Sequence, residues 1–241
     1  MLGVLKNFLL RMLVKAFFPL KQKKRVPEKI LVISSTALGD TLWATPALRA
    51  LRNSYPQAFL AVLTSRVGKE ALAGNPHIDQ LFSSTFRSPF HLLWLVIKLR
   101  KLDFSHIFVF HASQRIILPL CRFIGAEAII VRKEAHKGLE DLATHIVPIS
   151  NNIHEILIRL ILIQQIQAEK LGFSLEFYGD KDLPPIQHNP SFTGPKVGIH
   201  PGASSKNRRW PAEYFASLIE KLQLHLGCTL FITGDEKERE L

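Results

Sequence analysis

The sequence predicts an α/β protein of two doubly wound parallel-sheet domains, the second incomplete. Three observations carry this. From Lys29 onward, short apolar runs alternate with helical stretches, the pattern of strands joined by crossover helices. Residues 181–195, holding Pro184, Pro185, Pro190, Gly194 and Pro195, break the alternation as a linker. A new strand begins at Lys196, and only two strands and a partial helix follow it before Leu241, too little to cover both faces of a sheet.

Residues 1–28 form a basic arm. Of the net charge of +11, +7 falls in residues 1–29, where eight Lys and Arg face Glu28 alone. Met1 to Leu20 is rich in Leu, Phe, Val and Met, but Lys6, Asn7, Arg11 and Lys15 fall on one side of a helix. The run is too interrupted to span a bilayer. It reads as an interfacial helix on an anionic inner leaflet, reinforced by the Lys21 to Arg25 cluster, or as a helix packed on the domain. A signal sequence is disfavoured, because no small-residue cleavage site follows the apolar run.

The first domain, residues 29–180, opens with the buried strand Ile30 to Ile33, a small-residue turn from Ser34 to Gly39, and a helix from Pro46 with Ala47, Leu48 and Leu51 on its apolar face. Strands follow at Phe59 to Leu63, Gln80 to Phe82, Ser105 to Phe110 and Ala128 to Val131, with helices over 66–73, 90–101, 114–124 and 152–170. Past the linker, residues 196–241 supply a strand at Val197 to His200, a helix at Ala212 to Leu226 and a strand at Thr229 to Thr233. The chain holds two distant cysteines, Cys121 and Cys228, with no disulfide framework or metal spacing, which fits a reducing cytoplasm.

Asp40 stands beyond the carboxyl end of the first strand, where doubly wound folds bind ligands. Two readings compete. Asp40 or Thr41 closes the first turn of a helix as a cap, or Asp40 is a general base. The wider pattern Gly39-Asp40-Thr41-Leu42-Trp43-Ala44-Thr45-Pro46-Ala47-Leu48-Arg49, followed by Tyr55-Pro56, resembles the opening of the lipopolysaccharide heptosyltransferases, glycosyltransferase family nine. Gly74-Asn75-Pro76-His77-Ile78-Asp79 looks like that family's Asn-Pro-x-Ile-Asp turn, and His154-Glu155 with Arg159 looks like its long helix before the interdomain crossover. Val197 to Pro211 resembles the strand, phosphate loop and Lys-x-Trp-Pro signature of its donor domain, with Arg208 where the family usually has Lys and Lys206 two residues earlier. Arg holds a diphosphate through its planar fork but does not reproduce an ammonium point charge.

The resemblance implies a GT-B-type architecture of two Rossmann-like domains and inverting transfer of a heptose or related sugar from a nucleotide-activated donor, ADP-heptose or another nucleotide-sugar, to a lipopolysaccharide core acceptor. Asp40 is then the catalytic base. Gly202, Ser204, Ser205, Lys206 and Arg208 bind the donor diphosphate, with free backbone amides beside them. Thr41, next to Asp40, is set at the acceptor; Arg66 follows the carboxyl end of the second strand, and Arg115, with Ser113 and Gln114, that of the fourth, where the two Arg suit phosphates or acidic sugars of the acceptor. With cations and amides at the diphosphate, no cofactor or divalent metal is required. The chain reads as a truncated family member, cytoplasmic and peripheral to the inner membrane. The rival reading is a membrane-docked remnant without activity. A nicotinamide enzyme is disfavoured by the absence of Gly-x-Gly-x-x-Gly and of an acidic residue closing the second strand. Nucleic-acid binding is disfavoured because the basicity is mostly an arm and no aromatic-basic interleaving is present.

Overall fold

The computed structural model describes residues 11–12, 14–15, 18, 26–112, 114–133, 138–178, 194–203, 205–234 and 236–238. The interdomain linker over 181–193 and most of the arm lie outside these residues. Two compact units divide the chain between residues 182 and 183.

The first unit is a six-stranded, all-parallel sheet of β1 (Lys29–Ser34), β2 (Phe59–Thr64), β3 (Gln80–Ser83), β4 (His106–His111), β5 (Ala128–Arg132) and β6 (His145–Val147), in the order β3-β2-β1-β4-β5-β6. Strand order reverses at β1, so the crevice at its carboxyl end is the switch point of a doubly wound sheet. β1 pairs evenly with β2, Ile30 opposite Leu60 and Ser34 opposite Thr64. Against β4 its register slips between Ile33 and Ser34.

The continuous apolar runs are explained by burial on both faces. Alternate residues of each strand point to opposite sides. Leu31, Ile33, Leu63, Ile107, Val109, Ile129 and Val131 pack beneath α4 (Pro89–Lys101) and α5 (Ile117–Ile124). Ile30, Val32, Leu60, Val62, Phe108, Phe110 and Ile130 pack beneath α2 (Thr45–Ser54) and α6 (Glu155–Ile163). Pro at the first turn starts α2 and α4, where its missing N–H costs nothing. Two short helices, α1 (Leu38–Leu42) and α3 (Arg66–Ala71), follow β1 and β2.

Four elements differ from the sequence expectation, the first being α1, a short helix that takes up the end of the expected turn before α2. The helix expected over 152–170 is α6 followed by a 3-10 turn, Gln164–Ile166, which Gln167 ends at φ 63°. Residues 168–178 then run without regular structure, strapped to α2 by Arg49, whose guanidinium donates to the Leu171 and Ser174 carbonyls and to Glu176. The helix expected over 114–124 starts only at Ile117, because Gln114 is held in the preceding turn by Ser35. β6 was not foreseen, being three residues on the sheet edge with only Val147 buried.

The described residues of the arm pack on the α4 and α5 layer. Val14 is buried in that core, the Phe18 ring meets Phe123 edge-on with centroids 4.6 Å apart, and Arg11 and Lys15 both pair with Asp141, at 3.2 and 2.7 Å.

His106, at the start of β4, is buried, with its Nδ1 3.0 Å from the Ser105 hydroxyl. Burial, with the neighbouring His145 charge adding to it, pulls its pKa down to about 4. The folded imidazole is therefore neutral where the unfolded one, near 6.5, binds a proton. Stability is then full above about pH 6.5 and falls as pH drops toward 4. Between pH 7 and 5 the chain is expected to lose about 1 kcal/mol through this group, allowing for solvent screening. His106→Gln should flatten that part of the pH dependence in a melting series.

The second unit pairs β7 (Lys196–Ile199) and β8 (Thr229–Ile232) in parallel across α7 (Ala212–Leu226). Among its described residues only Ile199 and Cys228 are buried hydrophobics, and α7 buries none of its side chains.

Candidate functional site

At the carboxyl edge of the first unit's sheet, three strand ends are tied together. Ser35 donates its backbone N–H to the His111 carbonyl at 3.0 Å and its hydroxyl to Gln114 Oε1 at 3.0 Å, joining β1 to β4 across the switch point. Ser65 donates its hydroxyl to the Thr36 carbonyl at 2.9 Å, joining the loop after β2 to the loop after β1. Gly68 in α3 lies so close to α1 that a β-carbon there would collide with the Thr64 and Thr41 hydroxyls. Glycine at this position lets α3 seat against the turn that carries Asp40.

Asp40 is the third residue of α1. The N-cap of α1 is Ala37 and that of α2 is Ala44, and neither makes a side-chain cap bond. Asp40 and Thr41 thus cap neither helix. The Asp40 side chain is half-buried, and its carboxylate has no hydrogen-bond partner among the described residues. Its backbone is pinned from below: Arg159 Nη2 of α6 donates to the Asp40 carbonyl at 3.2 Å.

Arg159 is completely buried. Its Nη1 donates to the Glu155 carbonyl at 2.7 Å and to Glu155 Oε2 at 2.8 Å, and its guanidinium lies 5.8 Å from the centre of the Trp43 ring. Burial lowers its pKa, while Glu155 and then Asp40 raise it again. A guanidinium keeps its proton under such a shift. A fixed positive charge thus sits beneath Asp40. Glu155 is the hub of the cluster: His111 Nδ1 lies 3.9 Å from it and Arg132 Nη1 3.8 Å. His154 caps α6 by accepting from the Ile156 N–H at 3.2 Å and packs edge-on against Trp43.

The residues expected around Asp40 fare differently. Thr41 is fully buried, and its hydroxyl donates to the Ala37 carbonyl at 3.1 Å. This corrects its placement at the acceptor: the side chain is turned into the protein and its proton is committed to the turn. Arg66 and Arg115 are exposed and follow β2 and β4, the two neighbours of β1. Topology therefore sets them on the same sheet edge as Asp40, one on each side. Arg66 also approaches Glu70 at 3.5 Å. Ser113, weighed beside Arg115, lies outside the described residues. Glu155 as a hub and Arg132 were missed, although Arg132 ends β5 and follows the strand-end logic that singled out Arg115.

In the second unit, Pro201, Gly202 and Ala203 follow β7 and lead to a 3-10 turn, Lys206–Arg208. Ser205, Lys206 and Arg208 are exposed, whereas Ser204 lies outside the described residues. Arg209 Nε donates to the Ala203 carbonyl at 3.2 Å and holds the loop shut on itself. A β-carbon at Gly202 would meet the Glu238 carboxylate, the free end of a flexible side chain. His200 Nδ1 sits 3.0 Å from the Thr233 carbonyl, a packing role at the strand ends. Among the described residues no group of three His, Cys, Asp or Glu is gathered to hold a metal.

The sequence profile of glycosyltransferase family 9 (heptosyltransferase) matches residues 164–241. Lipooligosaccharide heptosyltransferase 2 of Campylobacter jejuni serotype O:2 is 27% identical over 215 residues, covering 88% of this chain and 62% of that protein. Residues 164–241 thus carry the pattern of glycosyltransferase family 9, and the likeness to a heptosyltransferase runs over most of the chain. A family 9 glycosyl transferase from Veillonella parvula superposes with a TM-score of 0.71 at 17% identity, over 91% of this chain and 67% of that one. An E. coli heptosyltransferase solved with ADP superposes with a TM-score of 0.66 at 15% identity, over 88% of this chain and 69% of that one. These likenesses give the fold, the GT-B type of the family. The chain spans about three-fifths of the length of the Campylobacter protein it matches.

Proposed function

We propose that this chain serves inverting transfer of a heptose, or a related sugar, from an ADP-activated donor to a hydroxyl of a lipopolysaccharide core acceptor. The observation that carries the reading is the half-buried Asp40 carboxylate at the switch point, its backbone pinned by a buried Arg159 that Glu155 holds in place. A half-buried carboxylate at the switch point with no hydrogen bond of its own among the described residues suits a general base.

In the reaction, Asp40 takes the proton of the acceptor hydroxyl as its oxygen bonds to the anomeric carbon. The bond from that carbon to the diphosphate oxygen breaks, and the electron pair leaves with the diphosphate. Lys206, Arg208 and the backbone amides near Gly202 and Ser205 neutralise the departing charge. Attack opposite the leaving group inverts the anomeric centre. Arg66 and Arg115 suit the phosphates or acidic sugars of the acceptor, as donors to anionic oxygens. Such substrates place the reaction at the cytoplasmic side of an inner membrane.

The test is a transfer assay with ADP-heptose and a core acceptor, on the chain extended past Leu241 with the remaining residues of the Campylobacter relative. The expected result is ADP release matched by a product of inverted anomeric configuration in its NMR spectrum, persisting in a chelator of divalent metals. A product of retained configuration, or hydrolysis of ADP-heptose without transfer, contradicts the reading.

A further inference from the structure

The helix α4 is apolar on both sides. Its inward face is accounted for by Leu95 and Leu99, buried in the core. The opposite face presents Phe90, Leu93, Trp94 and Ile97, which are 84%, 60%, 54% and 49% exposed. Their spacing of three and four residues stacks them into one stripe along the helix. A stripe of four large apolar side chains open to water exceeds the scattered exposure normal for a surface.

The charges that the helix and the loop before it carry have one sign. No Asp or Glu occurs between Gln80 and Leu102, whereas Arg87, Lys98, Arg100 and Lys101 do. Lys101 continues the apolar stripe one turn past Ile97. The Lys98 ammonium lies 5.0 Å from the centre of the Trp94 ring. Arg100 donates to the Phe123 carbonyl at 2.7 Å and lies 5.8 Å from the centre of the Phe18 ring, so the root of the basic arm adjoins this helix. Among the described residues no helix is long and apolar enough to cross a membrane. An apolar stripe with Trp, on a helix whose own charges are all cations, fits a surface that lies in the headgroup region of an anionic bilayer.

We infer that the outward face of α4 docks on an anionic lipid surface, inserting Phe90, Leu93, Trp94 and Ile97 among the acyl chains while Arg87, Lys98 and Lys101 meet the lipid phosphates. The inference stands apart from the sugar-transfer reading, since none of these residues belongs to the Asp40 cluster or the Gly202 loop.

The experiment uses the whole chain with vesicles of phosphatidylethanolamine containing phosphatidylglycerol, against vesicles of phosphatidylcholine alone. The chain is expected to sediment with the anionic vesicles only, and less as salt rises and screens the cations. Brominated lipid should quench its fluorescence, and Trp94→Phe should remove most of that quenching. Leu93→Gln with Ile97→Gln, both exposed and compatible with the helix, should weaken binding about tenfold or more. Lys98→Gln with Lys101→Gln should weaken it about tenfold and flatten the salt dependence. The inference is overturned if the Leu93 and Ile97 double variant sediments as the parent chain does, or if Trp94→Phe leaves the quenching unchanged. It is equally overturned if the apolar variants alter only self-association, which makes the face a contact between copies of the chain.

Discussion

Asp40→Asn is expected to lower turnover by about a hundredfold or more while leaving the fold intact, because it removes the proposed base and keeps its size. The assay uses the extended chain described above, compared at saturating ADP-heptose, with circular dichroism and a melting curve on the same preparations. Asp40 caps neither α1 nor α2, so the stability change should stay within about 1 kcal/mol, the scale of a first-turn carboxylate acting on a helix dipole. A variant that melts earlier but turns over normally gives Asp40 a structural role only. A variant that loses turnover with an unchanged melt fits the base.

The position of Asp40 was legible because it depends on local pattern. A four-residue apolar run followed by small residues and a helix places the intervening carboxylate at a strand's carboxyl end, whatever the rest of the chain does. What happens to that carboxylate was not legible. Arg159 lies 119 residues away along the chain and reaches the Asp40 carbonyl through the packing of α6 under the sheet, a contact that no local spacing encodes. Glu155 was visible as part of a helix start, but its link to His111 and Arg132 needs the order in which β4 and β5 stand side by side. Thr41 shows the opposite limit: its place beside Asp40 suggested a ligand contact, yet the same helical turn that leaves Asp40 half-buried rotates Thr41 into the core. The register slip at Ile33 and Ser34, which accompanies the clasp between Ser35 and Gln114, was likewise invisible, since both strands read as uninterrupted apolar runs.

The coupling of Glu155 and Arg159 sets the other large expectation. Glu155→Ala leaves a fully buried guanidinium without its ion partner, a loss of about 3 kcal/mol or more. In a unit of this size that lowers the melting temperature by roughly 6–12 °C. Arg159→Met should cost much less, about 1 kcal/mol, because the cation leaves the interior and the remaining carboxylate is partly exposed and close to Arg132 and His111. It nevertheless removes the donor to the Asp40 carbonyl and the positive charge below the base, so turnover should fall about tenfold, as for other losses of positioning. Arg159→Lys keeps the charge but not the planar fork that reaches Glu155 and Asp40 together, and should recover stability better than turnover. The double variant Glu155→Gln with Arg159→Met should melt above Glu155→Ala while remaining as slow as Arg159→Met. Melting and turnover that decline together across all four variants mean that the pair acts only on folding; their separation identifies Arg159 as a positioning residue for Asp40.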